Sequence, residues 1–169
     1  EYGYTYGFPV WINRCGVLAG AGQFGRADQG IFSYWIHSWC QRMPLKYLGF
    51  GGHGYQVRDC LQPRDLVPLL LAQFAAGSGF NGPRIVNVSG GLQSAVSLRE
   101  LSAWCHDRFG PHSVESDSSE RRFDLPWVVL DYGLAAEIWS WRPEVSWRQI
   151  CDEIADHALS HPDWMQLSR

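Results

Sequence analysis

Only two segments of this chain have the composition of strands buried on both faces. Phe8 to Arg14 is a β-branched and aromatic run bounded by Gly7 and by Gly16, Gly20 and Gly22, and Arg84 to Val88 is a second, closed by Gly90 and Gly91. A parallel sheet needs helices over both faces, and two strands are too few to make one. The chain is therefore either an α+β unit, or its two strands complete a sheet lying mostly in other sequence.

The helices are legible from their ends. Ser97 with Glu100 forms a capping box, and Leu98, Leu101, Trp104 and Cys105 share one face of the helix it starts. Ser146 with Gln149 repeats the device and turns Trp147, Ile150, Cys151, Ile154 and Ala158 inward. Gln29 to Arg42 lacks breakers after Gly30 and sets Ile31, Tyr34, Trp35, Ser38 and Trp39 at helical spacing, with Asp28 as N-cap. Asp65 to Ala76 is a further helix despite Pro68, stopped by Gly77-Ser78-Gly79. Lys46 to Phe50 and Tyr55 to Leu61 are extended, and the glycines from Gly51 to Gly54 predict a hairpin between them. Pro111 to Glu120 is polar and serine-rich, which predicts a mobile surface loop, and Trp127 to Leu130 is strand-like.

Composition narrows the function classes. With 169 residues, 46% hydrophobic and 18% charged, the chain has the size and make-up of one globular domain. A net charge of -3 argues against nucleic acid, whose phosphates call for clustered Lys and Arg. No apolar run reaches the roughly 18 residues of a membrane span, and no basic start precedes an apolar stretch, so the expectation is a soluble, cytoplasmic protein. Five widely spaced cysteines without a C-x-x-C pair read as reduced, mostly buried thiols. Nine tryptophans are many for this length, and some are expected at an interface. The sequence opens at Glu1 without an initiating Met and without helix-start signals, as a fragment beginning inside something larger would.

The residues that suggest chemistry are basic ones beside glycine turns: Arg14 at a strand end, Arg58-Asp59, and Arg121-Arg122 with Asp124. A guanidinium fork matches phosphate oxygens and a nearby carboxylate accepts from ribose hydroxyls, so together they could hold a nucleotide diphosphate. Most Arg–Asp neighbours are solvated surface pairs, and spacing alone does not separate the two readings. No G-x-S-x-G, H-E-x-x-H or Walker lysine motif is present. The six histidines lack metal-ligand spacing and are expected in surface or capping roles. Gly16, Gly20 and Gly22 have no phosphate-loop lysine beside them and read as a plain turn.

In order along the chain, these segments resemble the extended short-chain dehydrogenase/reductase family (NAD-dependent epimerase/dehydratase) from its sixth strand onward. The stretch from Ala21 to Gly30, including Gln23 and Gln29, is most similar to the CDP-paratose 2-epimerase (CDP-tyvelose epimerase) branch. Val57-Arg58-Asp59 is similar to the family's V-R-D segment, Arg121 and Asp124 with Leu125-Pro126 to its R-x-x-D element, and Asp131 with Trp141-Arg142-Pro143 to its closing D…W-x-P pattern. The resemblance implies an α/β fold, or α+β in the isolated piece. Residues 1–169 would be the last strands of a Rossmann sheet plus a small substrate-binding subdomain, the N-terminal dinucleotide-binding part being absent. It further implies that Arg58 and Arg121 bind the diphosphate, Asp124 the ribose, and Gln23 and Gln29 the rest of a CDP- or UDP-sugar. The backbone at Cys15 and Gly16 would run past the nicotinamide of NAD in the intact enzyme.

Two things depart from the family. By the resemblance, the family's first strand and the glycine-rich dinucleotide turn after it are not among these segments, and the chain has no Tyr-x-x-x-Lys pair, so no catalytic residue is assigned within it. Gln62 stands where many relatives carry histidine, and Val17 where some carry asparagine. Three functions remain open. The first is the nucleotide-sugar-binding half of an NAD-dependent sugar-nucleotide epimerase, inactive and without NAD when alone. The second is a non-catalytic nucleotide- or carbohydrate-binding module. The third is an inactive remnant whose exposed sheet edge forms a homo-oligomer or pairs with a Rossmann partner.

Overall fold

The computed structural model describes residues 1–26, 29–120 and 123–168. Its organising element is a helix with no water-facing side. After a short helix α1 (Tyr2–Tyr6), strand β1 (Ile12–Cys15) and strand β2 (Val17–Leu18), helix α2 (Ile31–Cys40) buries Phe32, Trp35, Ile36 and Trp39, and Ser33, His37 and Ser38 as well. A helix this apolar around its circumference is a core element rather than an amphipathic cover. Gly30, with φ of 70°, occupies its N-cap, and Asp28 lies outside the described residues.

Around α2 pack the two helices read from their capping boxes, α4 (Leu98–Phe109) and α6 (Trp147–Ser160). Both boxes are complete, with side chain and backbone bonded reciprocally. Strand β3 (Leu45–Leu48) closes the same core with Leu45 and Tyr47, and strands β4 (Val57–Leu61) and β6 (Ala95–Ser97) add Cys60 and Val96. A second, smaller core of Leu61, Leu69, Val86, Val88, Ala135 and Trp141 lies among helix α3 (Leu66–Ala76), strand β5 (Ile85–Val88) and helix α5 (Gly133–Trp139).

The strands form three groups. β1 and β5 are a parallel pair, Ile12 opposite Ile85 through Cys15 opposite Val88. β4 is flanked by β2 and β8 (Trp127–Val128), both parallel to it, and by β6, antiparallel. β3 runs parallel to β7 (Val114–Asp117). The mixed α/β class is as expected, and β1 with β5 are the two runs read as strands.

Three expectations need correction. β1 and β5 are not buried on both faces: Ile12 and Ile85 are half exposed, and only Val86 and Val88 of β5 are buried. Apolar composition reports the burial a strand needs, whereas its neighbours decide the burial it has. The hairpin over Gly51 to Gly54 does not form, because a 3-10 turn at Phe50–Gly52 separates β3 from β4 and sends them to different partners. The polar segment from Pro111 is not all loop, since Val114–Asp117 pairs along the whole of β3.

Helix α3 is exposed along an apolar stripe. Val67, Leu70, Leu71 and Phe74, at i, i+3, i+4 and i+7, are uncovered, Phe74 to 85%. A reciprocal pair of amide bonds at 2.9 and 2.8 Å between Asn13 and Gln73 ties this helix to β1.

The histidine expectation fails at His37, which is fully buried on α2, with neither ring nitrogen hydrogen-bonded among the described residues. Its ring meets His157 edge-on at 5.7 Å, and His157 stacks on His161 at 4.4 Å. Burial, reinforced by the charges of His157 and His161 when protonated, pushes its pKa from 6.5 down to about 4. The unfolded chain therefore takes up this proton below pH 6.5 while the folded one does not until about pH 4. Stability from neutral His37 is complete above pH 6.5 and is lost as pH falls, by about 2–3 kcal/mol between pH 7 and pH 4.5. Urea unfolding at pH 7 and pH 4.5 is expected to show that loss, and His37→Leu to flatten most of it. An unchanged slope in the variant would refute the assignment.

Candidate functional site

A concavity of about 820 Å³ opens between α2, β3, β4 and the start of α4. This is the size of a small-molecule site. Its apolar wall includes Leu18, Ile31, Trp35, Leu48, Val96 and Leu98, and its polar groups are Gln23, Gln29, Lys46, Gln56, Arg58 and Asp124, together with Ser97.

Glycine geometry shapes one wall. A Cβ on Gly25 would stand 2.2 Å from the Tyr34 backbone nitrogen, so only glycine lets the loop after β2 lie against the first turn of α2. The loop thereby brings Gln23 and Gln29 to the cavity. Gln23 is anchored there by Nε2 donating to the Leu18 carbonyl at 2.8 Å.

β4 supplies the charge. Arg58 donates from Nη1 to its neighbour's carbonyl, Val57 O, at 2.7 Å and from Nη2 to Asp124 Oδ1 at 2.6 Å. The same Oδ1 accepts from the Leu125 backbone N–H at 2.9 Å, which fixes the carboxylate against the segment leading into β8. The pair is only about one-fifth exposed, at 21% and 19%. A guanidinium has five N–H donors, and these two bonds leave capacity for a further anion. Lys46, on the rim, lies 3.6 Å from Glu115 and 4.0 Å from Asp117; both are exposed enough for that attraction to be weak.

Four of the seven expected site residues, Arg58, Asp124, Gln23 and Gln29, thus line one cavity although they come from separate parts of the chain. Arg121 and Arg122 lie outside the described residues. Cys15 and Gly16 do not line the cavity; they sit where β1 runs into β2. Gly16 there is pressed against its own chain, with Asp59 Oδ1 2.6 Å and Ser89 Cβ 2.9 Å from where its Cβ would be. Arg14 is exposed on β1. Asp59 is buried and accepts from the Leu130 backbone N–H at 3.0 Å, a structural bond rather than a ligand contact.

The cysteines offer no nucleophile to the site. Cys60, Cys105 and Cys151 are buried free thiols, Cys60 pushed up to about 12 by burial and by the Asp59 charge, and the other two also raised. The residue reading missed Lys46 and Gln56. Gln56 could have been found, because it precedes Arg58 by two on an extended chain and so shares its face.

No family model matches the chain. It is 26% identical over 152 residues to CDP-paratose 2-epimerase from Salmonella typhi, covering 86% of this chain and 44% of that protein. Among solved structures, it superposes on UDP-glucose 4-epimerase from Thermotoga maritima, with UDP-glucose, at a TM-score of 0.76 and 18% identity, over 95% of this chain and 49% of that one. It superposes on UDP-glucuronic acid 4-epimerase from Bacillus cereus, in complex with a UDP-sugar and NAD, at 0.75 and 18%, over 94% and 48%. The chain spans about half the length of the proteins it matches. In sequence and in fold alike, it is similar to the carboxyl-terminal half of the nucleotide-sugar epimerases of the extended short-chain dehydrogenase/reductase family.

Proposed function

We propose that this chain is the nucleotide-sugar-binding half of an NAD-dependent sugar-nucleotide epimerase, with a CDP-sugar as its ligand. The observation that carries the proposal is the Arg58–Asp124 pair at 2.6 Å on the wall of an 820 Å³ cavity shared with Gln23 and Gln29. A diphosphate would take the remaining donors of Arg58, joined by Arg121, and Asp124 would accept from the ribose hydroxyls. The apolar wall from Leu18 to Leu98 suits the faces of a pyrimidine and a deoxysugar. The preference for cytidine rests on the likeness to CDP-paratose 2-epimerase.

The residues of this chain do not by themselves fit a dinucleotide. The glycines that follow β2 serve packing instead, since a Cβ on Gly20 would meet the Gln62 side chain and one on Gly25 the Tyr34 backbone, and the space beside Gly16 is taken by Asp59 and Ser89. The chain therefore positions the sugar nucleotide, and the dinucleotide and the proton-exchanging tyrosine come from a separate Rossmann half. The exposed faces of β1 and the apolar stripe of α3 suit such a partner, and sedimentation of the two halves mixed would read their association.

Thermal unfolding with CDP, UDP and dTDP tests the binding role. A saturating ligand at about 100 times its dissociation constant stabilises by about 2.7 kcal/mol, a rise of several degrees in Tm. The rise is expected with CDP first. No shift with any of the three would remove the function.

A further inference from the structure

Gln56 immediately precedes β4, and its carbonyl accepts from the Leu98 backbone N–H at 3.2 Å, so the residue is held in extended backbone. Side chains two apart on such a backbone leave the same face, about 7 Å from one another. Gln56 and Arg58 both line the cavity. The Gln56 amide is oriented by Nε2, which donates to Leu48 O on β3 at 3.4 Å; its Oε1 is buried and has no partner among the described residues. Turning the amide over would set two acceptor oxygens against each other, so Nε2 must stay toward Leu48. At 3.4 Å that bond is longer than the usual 2.7–3.2 Å, so it sets the amide's orientation without clamping it.

We infer that Gln56 reads a hydrogen-bond donor of the nucleoside, and so helps to set which nucleotide the cavity accepts. This rests on the nucleotide-sugar function proposed above. An amide oxygen in this position welcomes an N–H or O–H and disfavours a carbonyl, because a second acceptor would leave both oxygens unpaired in a desolvated wall. The two candidate donors of cytidine are the exocyclic amino group of its base and the 2′-hydroxyl of its ribose. Uridine keeps the ribose hydroxyls but presents a carbonyl in place of the amino group. Gln23, across the cavity, also has an unpartnered Oε1, but its shorter 2.8 Å bond to Leu18 O holds it more firmly.

Calorimetric titration of the wild type and of Gln56→Leu with CDP, UDP and 2′-deoxy-CDP separates the possibilities. The substitution is expected to weaken CDP about three- to tenfold, the worth of one neutral hydrogen bond. If the donor is the base amino group, UDP affinity is unmoved. If it is the ribose 2′-hydroxyl, UDP weakens alongside CDP and 2′-deoxy-CDP is unmoved. An equal loss for all three ligands, or no loss for CDP, overturns the inference. Should the leucine variant unfold, Gln56→Met keeps the length of the side chain and carries the same expectations. Wild-type protein that binds none of the three defeats the nucleotide function itself, which is a different failure.

Discussion

Replacing Arg58 with alanine is expected to lower affinity for CDP about 10- to 100-fold, the worth of a charge-assisted hydrogen bond of about 1.5–3 kcal/mol. Two effects add in that direction. The diphosphate loses the donors that Arg58 holds beyond those spent on Val57 and Asp124. Asp124, no longer neutralised, then presents an unpaired carboxylate to an anionic ligand in the same cavity. Arg58→Lys keeps the charge but not the planar fork, and should recover part of the loss. Combining Arg58→Ala with Asp124→Asn should remove the repulsion and bind CDP more tightly than Arg58→Ala alone, unless the lost ribose contact outweighs it. Titration calorimetry reads all three. An affinity unchanged by Arg58→Ala would show that the cavity does not hold a diphosphate there.

The second large effect concerns the wall of the cavity. Trp35 is 1% exposed, donates from its indole nitrogen to Ser102 Oγ at 2.9 Å and stacks on Tyr47 at 5.6 Å between ring centres. Trp35→Ala deletes a buried aromatic group that joins α2, α4 and β3, and large-to-small changes of that kind cost about 3–5 kcal/mol. Against a domain stability of about 5–15 kcal/mol, that is about a fifth or more of the whole. Urea unfolding should show the midpoint fall with little change in slope. Trp35→Phe keeps most of the volume and loses the bond to Ser102, so its smaller cost separates packing from hydrogen bonding. A loss under about 1 kcal/mol for Trp35→Ala would mean that this core is not organised around the indole.

Sequence disclosed what local chemistry determines. Ser97 with Glu100 and Ser146 with Gln149 specify helix starts within four residues, and both are found as read. Strand pairing was less accessible because it is settled between distant segments. Val114–Asp117 carries no strand pattern of its own and is a strand only because β3 lies beside it, Leu45 opposite Val114 through Leu48 opposite Asp117, far apart in sequence. Gly51 to Gly54 have the residues of a reversal, but no local signal says that β3 and β4 find other partners. His37 was misjudged because a polar residue on an apolar helix is normally placed outward, and α2 has no outward side. At the site, Arg58 and Asp124 were recognisable through the family resemblance, whereas spacing left them indistinguishable from surface charge. Gln56 carried a usable signal in its two-residue offset from Arg58, and Lys46 carried none.

The enclosure of α2 also constrains how the chain can acquire its structure. Ten residues are too few to hold a helix in water unaided, so the segment gains nothing by coiling early. Its covering comes from β3, α4 and α6, the last of which ends at Ser160. During synthesis, Phe32, Trp35, Ile36 and Trp39 therefore remain uncovered until the segment ending at Ser160 has emerged. Non-local closure of this kind is slow and leaves apolar surface available to holdase chaperones in the interval.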